Sequence, residues 1–147
     1  MAVSASFALF GGGYAGSATA VTDKYTYSGD ARVAGTSLGT ARYAVSAAGN
    51  STVGIFGGGF TGVYVAVTDK YTYSGDGCVA GANLGTARAY LAAAGNSTVG
   101  IFGGGYAGSA TAVTDKYTYS DDTRVAGTAL GTARFSLAAT SSSPGGF

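Results

Sequence analysis

Apolar and polar positions change over within short runs along this chain, and the same changeover returns every 46 residues. The run VTDKYTYS stands at Val21–Ser28, Val67–Ser74 and Val113–Ser120. Its side chains alternate: Val21, Asp23, Tyr25 and Tyr27 share one side, while Thr22, Lys24 and Thr26 share the other. A period of two predicts a β-strand over Ala20–Tyr27. A second run, Ser51–Phe56, repeats at Ser97–Phe102 and in variant form at Ser6–Phe10. Val53-Gly54-Ile55-Phe56 does not alternate, as expected of a strand buried on both faces. We place it innermost in its sheet, clamped between neighbouring sheets. Two further strands are predicted at Arg32–Thr36 and Arg42–Ala48, with Phe135–Ser142 as the last counterpart. A helix is excluded, because no apolar stripe recurs at 3.6 residues and Gly interrupts every window. The most helix-like stretch, Leu91–Ala94, is four residues long.

The repeats extend beyond the strands. A glycine triplet recurs at Gly11–Gly13, Gly57–Gly59 and Gly103–Gly105, and LGTAR recurs at Leu38–Arg42, Leu84–Arg88 and Leu130–Arg134. The period suits either propeller blades or helical arrays, and the strand chemistry selects the former. The expectation is an all-β chain of three four-stranded units, about residues 5–50, 51–96 and 97–143, with a tail at 144–147.

Each unit resembles a kelch repeat, in which a first strand ends in glycines, a Tyr follows in the second, and a Leu-x-x-x-Arg-like segment precedes the fourth. Gly11-Gly12-Gly13, Tyr25 and Leu38–Arg42 carry the resemblance, with their counterparts in the other units. Where kelch repeats carry Trp, this chain has Arg32, Cys78 and Arg124. The resemblance implies a β-propeller. Three blades form an arc with two apolar flanks, and rings of one chain generally need at least four. Closed symmetry removes both flanks. We therefore expect self-association into a homodimer of six blades, with a homotrimer of nine as the alternative. Ser141–Ser143 and Pro144 would lie near the seam.

Composition narrows the function. Eight basic and seven acidic residues nearly cancel, so neither nucleic acid nor a membrane surface has electrostatic support as a partner. Cys78 is alone, which excludes an intrachain disulfide and a cysteine zinc site. The first residues read as no signal peptide, and no apolar run reaches the ~18 residues that span a bilayer. A soluble protein is the expectation, with a virion or extracellular surface suggested by the low charge and the Gly, Ser, Thr and Tyr bias. Asn50 and Asn96 each open an N-glycosylation triplet but read better as turn residues.

Gly11–Gly16 spells GxGxxG, yet a strand follows instead of the helix a dinucleotide site needs, so the glycines are assigned to tight turns. No His is present to activate a nucleophile. Asp30 and the pair Asp121-Asp122 read as turn residues, and no catalytic group, metal site or cofactor is expected. One set remains. Arg42, Arg88 and Arg134 follow a loop on the same face as Tyr14, Phe60 and Tyr106. Aromatic plus Arg can stack on and hydrogen-bond a sugar or an acidic group. The competing expectation is that each Arg pairs with a neighbouring Asp or with backbone carbonyls while the aromatics cover the turns. The reading that follows is a non-enzymatic structural or interaction protein that presents repeated loops to a protein partner. The alternatives are a multivalent carbohydrate-binding module and an engineered or reconstructed array with no evolved ligand.

Overall fold

The computed structural model describes residues 7–142. Among these, eleven strands form three antiparallel sheets, and no helix is present. The first sheet holds β1 (Phe7–Gly11), β2 (Thr22–Thr26) and β3 (Ala31–Ala34) in that order. The second holds β4 (Ser46–Gly49), β5 (Val53–Gly57), β6 (Thr68–Thr72) and β7 (Gly77–Ala80). The third repeats this with β8 (Ala92–Gly95), β9 (Val99–Gly103), β10 (Thr114–Thr118) and β11 (Thr123–Ala126). Register is the same throughout: Phe7 opposes Thr26, Val53 opposes Thr72 and Val99 opposes Thr118.

The apolar VGIFG strand is central in its sheet, not innermost as expected. The sheet edge is formed by the strand that ends the preceding unit: β4 pairs with β5 and β8 with β9. Sheets therefore straddle the unit boundaries at 50/51 and 96/97. Connection length explains this. Asn50 Oδ1 accepts from the amides of Thr52 and Val53, which folds residues 50–52 into a tight hairpin turn. The link from β3 to β4, residues 35–45, is long enough to cross to the next sheet. The fourth strand expected at Phe135–Ser142 has no strand partner among the described residues. Ser143, Pro144 and the first residue of the strand expected at Ser6–Phe10 lie outside the described residues.

Turn chemistry repeats as faithfully as the strands. The second and third glycines of each triplet have positive φ, for example Gly58 at 70° and Gly59 at 117°. This is backbone that L side chains rarely adopt. Asp30, Asp76 and Asp122 take the left-handed conformation in the β2–β3 type of hairpin, a role that suits Asp.

The core lies between successive sheets. Leu38 of the first crossing link packs on Phe56 and Tyr71 of the second sheet. One step on, Leu84 packs with Phe102, Tyr117, Val53 and Ile55. In this packing the Phe56 ring lies against Gly11, and the Phe102 ring against Gly57. The edge strand β4 lies against β8 and β9.

Candidate functional site

Two constellations repeat with the sheets. The first joins one sheet to the next. LGTAR lies within the crossing link, and its Arg reaches forward into the following sheet. Arg42 donates through Nε to the Gly58 carbonyl (2.8 Å), through Nη2 to the Phe56 carbonyl (3.1 Å) and through Nη1 to Asp69 (2.5 Å). Arg88 makes the same set with Gly104, Phe102 and Asp115. Both arginines are 0 % exposed. The second carboxylate oxygen of Asp69 and of Asp115 accepts from the Gly39 and Gly85 amides, respectively. Each buried charge is thus paired and hydrogen-bonded, the condition for burying it at all. Tyr71 and Tyr117 add a phenol oxygen that accepts from the Thr36 and Ala82 amides. Burial pushes the Tyr71 phenol up, and its hydrogen bond to Asp76 adds to this.

Arg134 differs. It is exposed, and among the described residues its side chain donates only to the Thr132 carbonyl. Asp23, the counterpart of Asp69 and Asp115, is bound by the exposed Arg32 of its own sheet at 2.5 Å. The junction motif is therefore complete twice and half-made twice.

The second constellation is aromatic. The glycine-triplet loops place Tyr14, Phe60 and Tyr106 in a row with residues on either side of them. Ring centroids run Tyr14–Tyr43 5.3 Å, Tyr43–Phe60 5.5 Å, Phe60–Tyr64 5.1 Å, Tyr64–Tyr106 5.7 Å and Tyr106–Phe135 5.2 Å. These are the edge and tilted spacings that aromatic pairs prefer. Backbone bridges Tyr43 to Phe60 and Ala89 to Tyr106 hold the row in place. Burial raises the Tyr64 phenol, and the nearby phenols of Tyr106, Tyr90 and Tyr43 add to the effect.

Five of the six residues singled out from the sequence gather along the sheet junctions, in two layers, while Arg134 lies exposed beyond the last sheet. Tyr14, Phe60 and Tyr106 are at least partly exposed, whereas Arg42 and Arg88 turn inward to carboxylates and carbonyls and present no guanidinium to solvent. Tyr43, Tyr64, Tyr90 and Phe135 join the aromatic row without having been singled out. They escape a search for repeats because Ala or Ser occupies at least one equivalent position in the other units. The Arg–Asp pairing does have a sequence signal, the constant separation of 27 residues from Arg42 to Asp69 and from Arg88 to Asp115. Among the described residues no group of three or more His, Cys, Asp or Glu gathers, and no helix is long and apolar enough to cross a membrane. No protein-family model matches the chain, and comparison with curated proteins finds no match.

Proposed function

We propose that this protein is a ring-forming, non-enzymatic scaffold. Its units are kelch-like blades of a β-propeller, and the ring closes by self-association, six blades in a homodimer. The observation that carries the reading is the half-made junction at each end. Arg134 presents the donors that Arg42 and Arg88 use internally, and Asp23 is the acceptor that Asp69 and Asp115 supply. A second copy brings the two halves together twice, with no new kind of contact. Light scattering tests this: the expected mass is 28.4 kDa, twice the 14.2 kDa chain, and a stable 14.2 kDa species would sink it.

The aromatic row supports a second reading, carbohydrate binding on the face it occupies. Flat phenol and phenyl rings in line suit the apolar faces of sugars, and the hydroxyls of Tyr14, Tyr43, Tyr64 and Tyr106 supply hydrogen bonds. A glycan array comparing wild type with Tyr14→Ser/Tyr106→Ser checks it. Binding is expected for the wild type only, and silence from both removes the lectin reading.

A further inference from the structure

The aromatic core residue of the β1-type strand is covered in two sheets and bare in the first. Phe56 and Phe102 are 4 % and 0 % exposed, whereas Phe10 is 62 % exposed. Inside the chain, Phe56 sits with Leu38 and Tyr71 in a cluster that takes in Leu9 and Val45, its ring against Gly11. Two units further on, the equivalents of Leu9, Gly11, Leu38 and Val45 are Ile101, Gly103, Leu130 and Leu137. Those four residues line a cavity of about 360 Å3 at the far end of the chain. A Cβ placed on Gly11 or Gly57 would meet a Phe ring at 2.9 Å, whereas the nearest atoms to one on Gly103 belong to Thr114 and Leu130, at 3.6 and 3.8 Å. Among the described residues the chain carries a knob at one end and an unfilled, matching socket at the other.

Strand pairing makes the same point. Among the described residues the β1 edge opposite β2 carries no strand, whereas β5 and β9 are each covered by the strand before them. Tyr27 is exposed for the same reason, while its counterpart Tyr119 is buried with its hydroxyl close to Gly95 of the covering strand β8. Ala138–Ser141 occupies the place of Ser46–Gly49 and Ala92–Gly95 in the repeat. It lines the socket beside β8 and β9 but belongs to no sheet. Among the described residues the backbone ladder between units also stops there. Tyr90 N–H donates to the Ala44 carbonyl and Ser136 N–H to the Tyr90 carbonyl, which leaves the Ser136 carbonyl next in line.

We infer that residues 138–141 of one copy add to β1 of a second copy as its missing edge strand, with Phe10 of that second copy seated in the first copy's 360 Å3 socket. This rests on the ring reading above and gives it a register. From Ser46 opposite Gly57 and Ala47 opposite Phe56, Ala138 falls opposite Gly11, Ala139 opposite Phe10, Thr140 opposite Leu9 and Ser141 opposite Ala8. The same step sets Arg134 on Asp23, the Gly131 amide on that carboxylate and the Thr128 amide on the Tyr25 phenol oxygen. It also brings Phe135 to Tyr14, so that the aromatic row continues from copy to copy.

The test uses the full chain with Cys78→Ser to remove the native thiol. One preparation carries Phe10→Cys and another Ala139→Cys, and the two are mixed and oxidised. The expected result is a covalent 28.4 kDa heterodimer, absent when Ala139→Cys is replaced by Gly75→Cys, which lies in open space away from the socket. A Phe10→Ser chain keeps its fold by circular dichroism and associates at least ~100-fold more weakly, the lower end of what a lost buried aromatic costs. A 28.4 kDa assembly without the cross-link overturns strand exchange and leaves the ring reading standing. A 14.2 kDa species overturns both, and is the outcome expected if the chain's own Ala2–Ala5, which repeats the sequence of Ala44–Ala47, covers β1 instead.

Discussion

Asp69 accepts a 2.5 Å hydrogen bond from the Arg42 guanidinium, and both side chains are closed off from solvent. One unit on, Asp115 accepts from Arg88 at 2.7 Å and also faces Arg124 at 3.3 Å. In the first junction Cys78 stands where Arg124 does in the second. Removing one partner of a buried pair strands the other charge and costs about 3–5 kcal/mol. Arg42→Ala is expected to lose that full amount in urea unfolding. Arg88→Ala should lose less, because Arg124 still faces the stranded carboxylate. Equal losses would show that Arg124 is screened from Asp115.

Aromatic truncation should divide in the same way. Phe102→Ala empties a fully buried position and is expected to cost about 3–5 kcal/mol. Phe10→Ala touches an exposed ring in the single chain. Its effect should appear only in how strongly the melting temperature depends on protein concentration. A concentration-independent melt in the wild type would contradict this.

The Tyr119 phenol is pushed up to about 12, first by burial and then by the neighbouring Tyr73. An unfolded tyrosine ionises near pH 10, so the folded chain holds this proton longer. The stability concerned is fully present below pH ~10 and is lost as pH rises through about 12. Tyr119→Phe should flatten that alkaline decline, followed by tyrosinate absorbance and unfolding. The hydroxyl has no hydrogen-bond partner among the described residues, so the same variant should gain about 1 kcal/mol at neutral pH.

Two glycines in the second unit should respond in opposite ways. A Cβ on Gly58 would sit 2.6 Å from the Arg88 carbonyl oxygen at a φ of +70°, so Gly58→Ala should cost more than the ~1–2 kcal/mol of left-handed strain alone. Gly75 lies in open space, and Gly75→Ala should stay within about 0.5 kcal/mol. Chemical denaturation midpoints separate the two.

The strands were legible because Val, Ile, Phe and Tyr gather between glycine turns, and three near-identical copies repeat the message. Their grouping into sheets was less legible. A period fixes spacing but not phase, and a repeat of four strands looks the same wherever the cut is made. The three-residue Asn50 turn against the long 35–45 link was the clue to the right cut. The inward-facing arginines were hidden for a different reason: Arg is seldom fully buried, and only the paired Asp 27 residues later marks the exception. The aromatic row needed three dimensions, since Tyr43, Tyr64 and Phe135 come from different loops.

Because β4 and β8 leave one unit to finish the sheet of the next, no 46-residue copy owns a whole four-stranded sheet. Pulling on the chain between two units would load a hairpin's hydrogen bonds instead of peeling apart two finished bodies. A stack of separable beads would yield one at a time under such a load. This arrangement behaves as a woven strap, and its grip passes from copy to copy along the backbone.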